Sequence, residues 1–154
     1  MKIEEILDKN CIYLDKDLMN KDEVLIFLSE AMLKEEIIVN QKEYLDKVYY
    51  RESLSDTGLL DGIAIPHGIS STVLKPSIAF VRLKEGIEWG SIDNQKVKYV
   101  FLLAIPEHSS DNLHIKMISE LARSLMKPEI AKQINMVKTA TELLGILKKG
   151  GEIA

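Results

Sequence analysis

Cysteine occurs once in these 154 residues, at Cys11, so no disulfide can form within the chain. That usage fits a reduced, cytoplasmic setting. No stretch approaches the roughly 18 consecutive apolar residues of a membrane-spanning helix. The opening MKIEEILDKN carries acids where a secretory leader would carry an apolar core. Neither a signal peptide nor direct membrane insertion is expected. Positive charge is not in excess either: 20 Lys and Arg stand against 24 Asp and Glu, a formal net charge of -4. Nucleic-acid binding through clustered basic residues is therefore not expected, whereas a basic protein partner is compatible with that charge. There is no G-x-S-x-G elbow for a serine hydrolase. There is no G-x-x-x-x-G-K-[ST] loop for ATP, and the 8 glycines are too scattered for a dinucleotide fingerprint. The chain shows no repeat, low-complexity tract or linker.

What is present is the composition of an ordinary globular protein, 46% hydrophobic and 29% charged. The length supports one sizeable core, expected as one domain over residues 1–150, with 151–154 as a frayed tail. Asn20 and Glu23 form a capping box ahead of Val24, Leu25, Phe27, Leu28, Ala31 and Met32 at helical spacing. Asn40 and Glu43 open a second helix, with Tyr44, Leu45, Val48 and Tyr49 on its apolar face, running to about Glu52. SLSDTGLLDG reads as a loop. Gly62–Ile65, Ser77–Leu83 and Val97–Ile105 read as strands, the last apolar enough to be covered on both faces. Asp93–Gln95 is a turn. Leu113, Met117, Ile118, Leu121, Ala122 and Leu125 mark a third helix, which Lys127-Pro128 ends. Pro128 suits the first turn of the next. Thr139 and Glu142 cap a last helix bearing Leu143, Leu144, Ile146 and Leu147. The order predicts an α/β three-layer sandwich, a small sheet with helices on both faces.

Three histidines are candidates for chemistry. His67 lies in DGIAIPHG. Pro66 fixes its own φ and lacks a donor, so it ends strand pairing. Gly68 permits a positive φ or a close approach of another molecule to the backbone. His67 then stands at a strand end on a rigid support, a good place for a reactive side chain. From the residues alone, a turn that happens to contain histidine remains equally open. His114 lies in the first turn of the helix that Ser110 or Asp111 can cap, where the helix dipole attracts anions. Alone, it reads as a polar residue on an exposed helix face. His108 reads as a loop residue. His108, Asp111 and His114 are metal-ligand types but lack the spacing of a compact helical pair, so no metal is expected.

RESLSDTGLLDGIAIPHG, GIEWGSIDNQKVKYVFLLAIPE and LHIKMISELARSLM together resemble the fructose/mannitol-type enzyme IIA domains of the bacterial phosphoenolpyruvate-dependent sugar phosphotransferase system. The likeness covers nearly the full chain. It implies a mixed sheet flanked by helices. It implies that His67 accepts a phosphoryl group on Nε2 from phospho-HPr and passes it to a cysteine of enzyme IIB, with the membrane enzyme IIC as an indirect partner. The sugar would be fructose- or mannitol-like. Arg51 matches the arginine of the family's RE pair, His114 its second histidine, and Thr57 the threonine of its TG pair. Asp56 stands where serine is frequent, and Leu60 where glycine or alanine is common; neither change touches Arg51, His67 or His114. No cofactor is implied. The resemblance leaves one alternative within the same chemistry, a nitrogen-related enzyme IIA acting through its phosphorylation state. GIEWGSIDNQ is closer to the transport branch.

The residue types suit that chemistry. Neutral imidazole is a nucleophile at cytoplasmic pH. Phosphoryl transfer asks the protein for positioning and charge stabilisation. Arg51 offers a permanently charged planar fork, and His114 a donor at a helix start. The expectation is a shallow, accessible site ringed by exposed apolar residues.

Overall fold

The computed structural model describes residues 3–109 and 112–149. A short helix α1 (Ile3–Ile6) leads into strand β1 (Leu7–Lys16), helix α2 (Lys21–Lys34) and helix α3 (Gln41–Leu54). Strands β2 (Ile63–Ala64), β3 (His67–Ser70), β4 (Ser77–Ile87) and β5 (Val97–Pro106) follow. Helices α4 (Leu113–Leu125), α5 (Pro128–Met136) and α6 (Ala140–Lys149) complete the order.

The caps form where the sequence places them. Asn20 Oδ1 accepts from Glu23 N at 2.9 Å, Asn40 Oδ1 from Glu43 N at 3.0 Å, and Thr139 Oγ1 from Glu142 N at 3.1 Å. Pro128 is in the first turn of α5. The expected Ser110 or Asp111 cap of α4 lies outside the described residues, as do residues 151–154.

The sheet is mixed and five-stranded, in the order β1-β4-β5-β2, with β3 also paired to β5. β4 and β5 are antiparallel; β1 runs parallel to β4, and β2 and β3 run parallel to β5. Alternation along β4 and β5 sends Ile78, Phe80, Phe101, Leu103 and Ile105 to one face, where α4, α5 and α6 cover them. Ala79, Val81, Val100, Leu102 and Ala104 go to the other, under α2 and α3. This is the expected three-layer α/β sandwich.

Two expectations change. The helices-strands-helices order misses β1: its burial lacks alternation, with Asp8, Lys9 and Asn10 exposed in succession, so period-2 patterning does not reveal it. The strand through Gly62–Ile65 also does not finish at Pro66. Pro66 donates nothing, but its carbonyl accepts Leu103 N at 3.0 Å, and pairing resumes with His67 opposite Leu103. His67 therefore opens a strand instead of ending one.

Arg82, on β4, is buried and ties the layers together. Its Nε and Nη2 each donate to the Asp15 carboxylate at 2.9 Å. Nη1 donates to the carbonyls of Ile134, Asn135 and Val137 at the end of α5, at 3.0, 3.3 and 2.6 Å. That arginine supplies donors to carbonyls that a helix C-terminus leaves unpaired.

Candidate functional site

His67 is delivered by a small hairpin hidden in what reads as a loop. Asp61 and Gly62 both have positive φ, 59° and 80°. Ile63 N donates back to Leu60 O at 3.2 Å, closing a tight turn of the kind Asp-Gly favours. The two arms are joined by Leu59 N to Ile63 O at 2.7 Å and Ile65 N to Thr57 O at 3.1 Å. Pro66 then turns the chain onto β5.

Opposite this strand lies α3. Tyr44 and Val48 are on its buried face, and Arg51 follows one turn later. The Tyr44 hydroxyl donates to Leu103 O at 2.7 Å, the rung of β5 that faces His67. Gly68 has no positive φ; its role is the close approach of α3. A Cβ there would lie 2.8 Å from Val48 Cγ2 and 3.0 Å from Tyr44 Cε1. The approach that Gly68 permits is thus made by the protein's own helix.

His67 is 7% exposed and lines a cavity of about 250 Å³ with Lys47, Tyr50, Arg51 and Ile69. The site is accessible but less shallow than expected. Of the cavity's apolar lining, Tyr50 is more than half exposed and Ile69 partly buried. His67 Nδ1 lies 3.1 Å from the Ile65 carbonyl oxygen. A carbonyl can only accept, so Nδ1 carries the proton and Nε2 keeps its lone pair. Burial holds the His67 pKa below the ordinary histidine value; the Ile65 hydrogen bond opposes this, and the positive charges of Arg51 and His114 add to it. Burial, the largest of these effects, favours the neutral ring, and the Ile65 hydrogen bond places that ring's single proton on Nδ1.

Arg51 Nη1 donates to Ser55 O at 2.8 Å and to Ser55 Oγ at 3.3 Å, folding the guanidinium over the end of α3. Among the described residues it has no carboxylate within ion-pair distance, so its charge is available to a ligand. His114 is partly exposed in the first turn of α4. The fold thus brings Arg51 and His67 to one cavity from α3 and β3, while His114 on α4 is not among the residues that line it. His108 is exposed in a turn after β5. Asp111, the third residue of the metal-ligand grouping, lies outside the described residues. Cys11 is fully buried, and burial pushes its thiol pKa up to about 11, leaving no thiolate to compete as a nucleophile.

Thr57 is buried, and its hydroxyl faces away from the cavity into a polar cluster. It donates to Glu52 and accepts from Trp89 Nε1 at 3.1 Å. Lys21 Nζ pairs with the other Glu52 oxygen at 3.0 Å and sits 4.9 Å from the Trp89 ring centroid. Sequence reasoning assigned no role to Glu52, Lys21, Trp89, Lys47 or Tyr50. Lys47 and Arg51 are four apart on one helix, a detectable spacing. The pairing of Lys21 with Glu52 spans 31 positions and has no local signature.

Residues 5–150 match the family described as "Phosphoenolpyruvate-dependent sugar phosphotransferase system, EIIA 2". The chain is 34% identical over 149 residues to the "PTS system fructose-specific EIIABC component" of Bacillus subtilis (strain 168), covering 97% of this chain and 23% of that relative. It thus spans about a quarter of that curated relative's length. Among solved structures, the nitrogen regulatory protein IIA-Ntr from Neisseria meningitidis is similar at TM-score 0.86 and 28% identity, covering 94% of this chain and 98% of its own. The IIA mannitol structure from Escherichia coli is similar at TM-score 0.76 and 26% identity, covering 90% and 96%.

Proposed function

Because the chain belongs to the EIIA type 2 family of the phosphoenolpyruvate-dependent sugar phosphotransferase system, we propose that it carries a phosphoryl group on His67 Nε2. The observation that carries this reading is the Nδ1 hydrogen bond to Ile65 O, which leaves Nε2 unprotonated in a cavity beside Arg51. The Nε2 lone pair attacks phosphorus of the phosphohistidine of HPr. The donor's P–N bond breaks as the new N–P bond forms, and Nδ1 keeps its proton throughout. Arg51 swings or reaches to the phosphoryl oxygens, and His114 donates from the start of α4. These charges offset the roughly -1.5 to -2 that the group brings. A cysteine of enzyme IIB then takes the group, and a fructose- or mannitol-like sugar entering through enzyme IIC is the final acceptor. The setting is cytoplasmic; no helix of the described residues is long and apolar enough to cross a membrane.

The test is intact mass after incubation with phosphoenolpyruvate, enzyme I and HPr. The wild type should gain one acid-labile phosphoryl group and His67→Ala none. A mutant that accepts normally would remove His67 from the role.

The similarity to IIA-Ntr favours a second reading, in which the same phosphorylation regulates other proteins. Dependence of sugar uptake on the protein separates the two.

A further inference from the structure

The buried polar cluster behind His67 contains a carboxylate that the phosphoryl-carrier reading leaves unused. The Glu52 side chain is 7% exposed, and both its oxygens are engaged, one by Lys21 and one by the Thr57 hydroxyl. Thr57 is itself held from the other side by Trp89 Nε1. From Thr57 the connection passes into the main chain. Its carbonyl accepts Ile65 N at 3.1 Å, and the Ile65 carbonyl accepts from His67 Nδ1 at 3.1 Å. Three hydrogen bonds thus connect the carboxylate and the imidazole, by way of the hydroxyl and carbonyl of Thr57 and the N–H and carbonyl of Ile65.

We propose that Glu52 is a positioning residue for His67: through Thr57 and the Ile65 main chain it holds the imidazole in the Nδ1–H form, keeping Nε2 free to accept a phosphoryl group. The inference rests on the carrier reading for its consequence in transfer, but the tautomer can be measured without it. Thr57 sits on the first arm of the hairpin and Ile65 on the second. Fixing the Thr57 main chain fixes the Ile65 carbonyl, and with it the acceptor that selects the tautomer. Lys21 pairs with one oxygen of the buried carboxylate, and the other oxygen accepts from the Thr57 hydroxyl. The Glu52 charge also acts directly on His67, opposing the push from Arg51. A packing role alone would need neither the hydroxyl nor the charge.

The experiment is ¹⁵N NMR of the His67 ring in wild type, Thr57→Val, Thr57→Ser and Glu52→Gln, each also timed for phosphoryl acceptance from phospho-HPr. Wild type and Thr57→Ser should show Nδ1 protonated and Nε2 unprotonated. Thr57→Val and Glu52→Gln should show mixed tautomers and accept about tenfold more slowly, the worth of one hydrogen bond. If Thr57→Val does not fold, Glu52→Gln, which keeps the side-chain shape, carries the same test. A pure Nδ1–H ring in the variants that fold overturns the inference, as does a mixed ring with wild-type transfer. A wild type that holds Nδ1–H yet takes no phosphoryl group overturns the carrier reading and leaves the tautomer control standing.

Discussion

Substituting Gly68 by alanine should separate the two elements that meet at the site. The added Cβ would be 2.8 Å from Val48 Cγ2, 3.0 Å from Tyr44 Cε1 and 3.3 Å from Val48 N, whereas ordinary contact begins at 3.4 Å. The Val48 methyl must therefore give by about 0.6 Å, and the crowded Tyr44 ring and Val48 N push helix α3 away from β3 with it. Tyr44 resists this retreat, because its hydroxyl is bonded to Leu103 O across from His67. Overpacking of this kind costs about 1–3 kcal/mol. For a chain of this size that lowers Tm by roughly 2–12 °C. Arg51 rides on α3 and His67 on β3, so their spacing opens by up to that displacement. A misplacement of about 1 Å can cost a hundredfold in rate, so a loss of about tenfold in phosphoryl acceptance is expected. Thermal unfolding and a timed intact-mass assay read the two effects. Gly145→Ala on α6 is the control: a Cβ there meets nothing within 4 Å. It should leave transfer unchanged and stabilise by up to about 1 kcal/mol. Adding Val48→Ala to Gly68→Ala removes the nearest clash, so the pair should cost less than the sum of the single changes. A Gly68→Ala protein that melts and accepts like wild type, or strict additivity with Val48→Ala, refutes this account of the helix–strand contact.

Three further outcomes are expected. His114→Ala should melt near the wild-type temperature but transfer about tenfold to a hundredfold more slowly, having lost one charge-stabilising donor; wild-type rates with both partners would exclude that role. Arg82→Met should destabilise by about 2–4 kcal/mol, because the buried carbonyls at the end of α5 lose their donor, and the Asp15 carboxyl, held low chiefly by its Arg82 hydrogen bond, should titrate nearer the usual carboxylate range; denaturant unfolding and NMR titration check the two parts. His67 should titrate below 6.5 by NMR, since burial lowers its pKa. The unfolded chain then binds the proton more readily, so stability from this group is intact above pH 6.5 and declines as pH falls through the lower folded value. A midpoint at or above 6.5 would contradict the buried, neutral nucleophile.

The helices that carry the site were legible because their signals are local. A capping residue and its partner lie three positions apart, and Tyr44, Val48 and Arg51 repeat at helical spacing. β4 and β5 were legible as apolar runs. DGIAIPHG marked His67 as unusual, and the resemblance assigned Arg51 and His114 to the same chemistry. Sequence by itself determined the inventory: which residues could act, and which helices and central strands would present them.

Tertiary structure decided how they meet. β1 is parallel to β4 through a pairing of residues some 70 positions apart (Leu7 with Ile78, for instance), so nothing in its own polar sequence announces it. The hairpin before His67 needs the register of Thr57 with Ile65, and the resumed strand needs β5 as its partner. Gly68 is required by a helix that its neighbours in sequence do not include. Glu52 gains its partners from Lys21, Thr57 and Trp89, three separate segments. The tautomer of His67 is set by a carbonyl whose position depends on those contacts. Backbone propensity and periodicity act over a few residues and can be read directly; close packing and buried hydrogen bonds join distant segments, and exist only once the chain has folded.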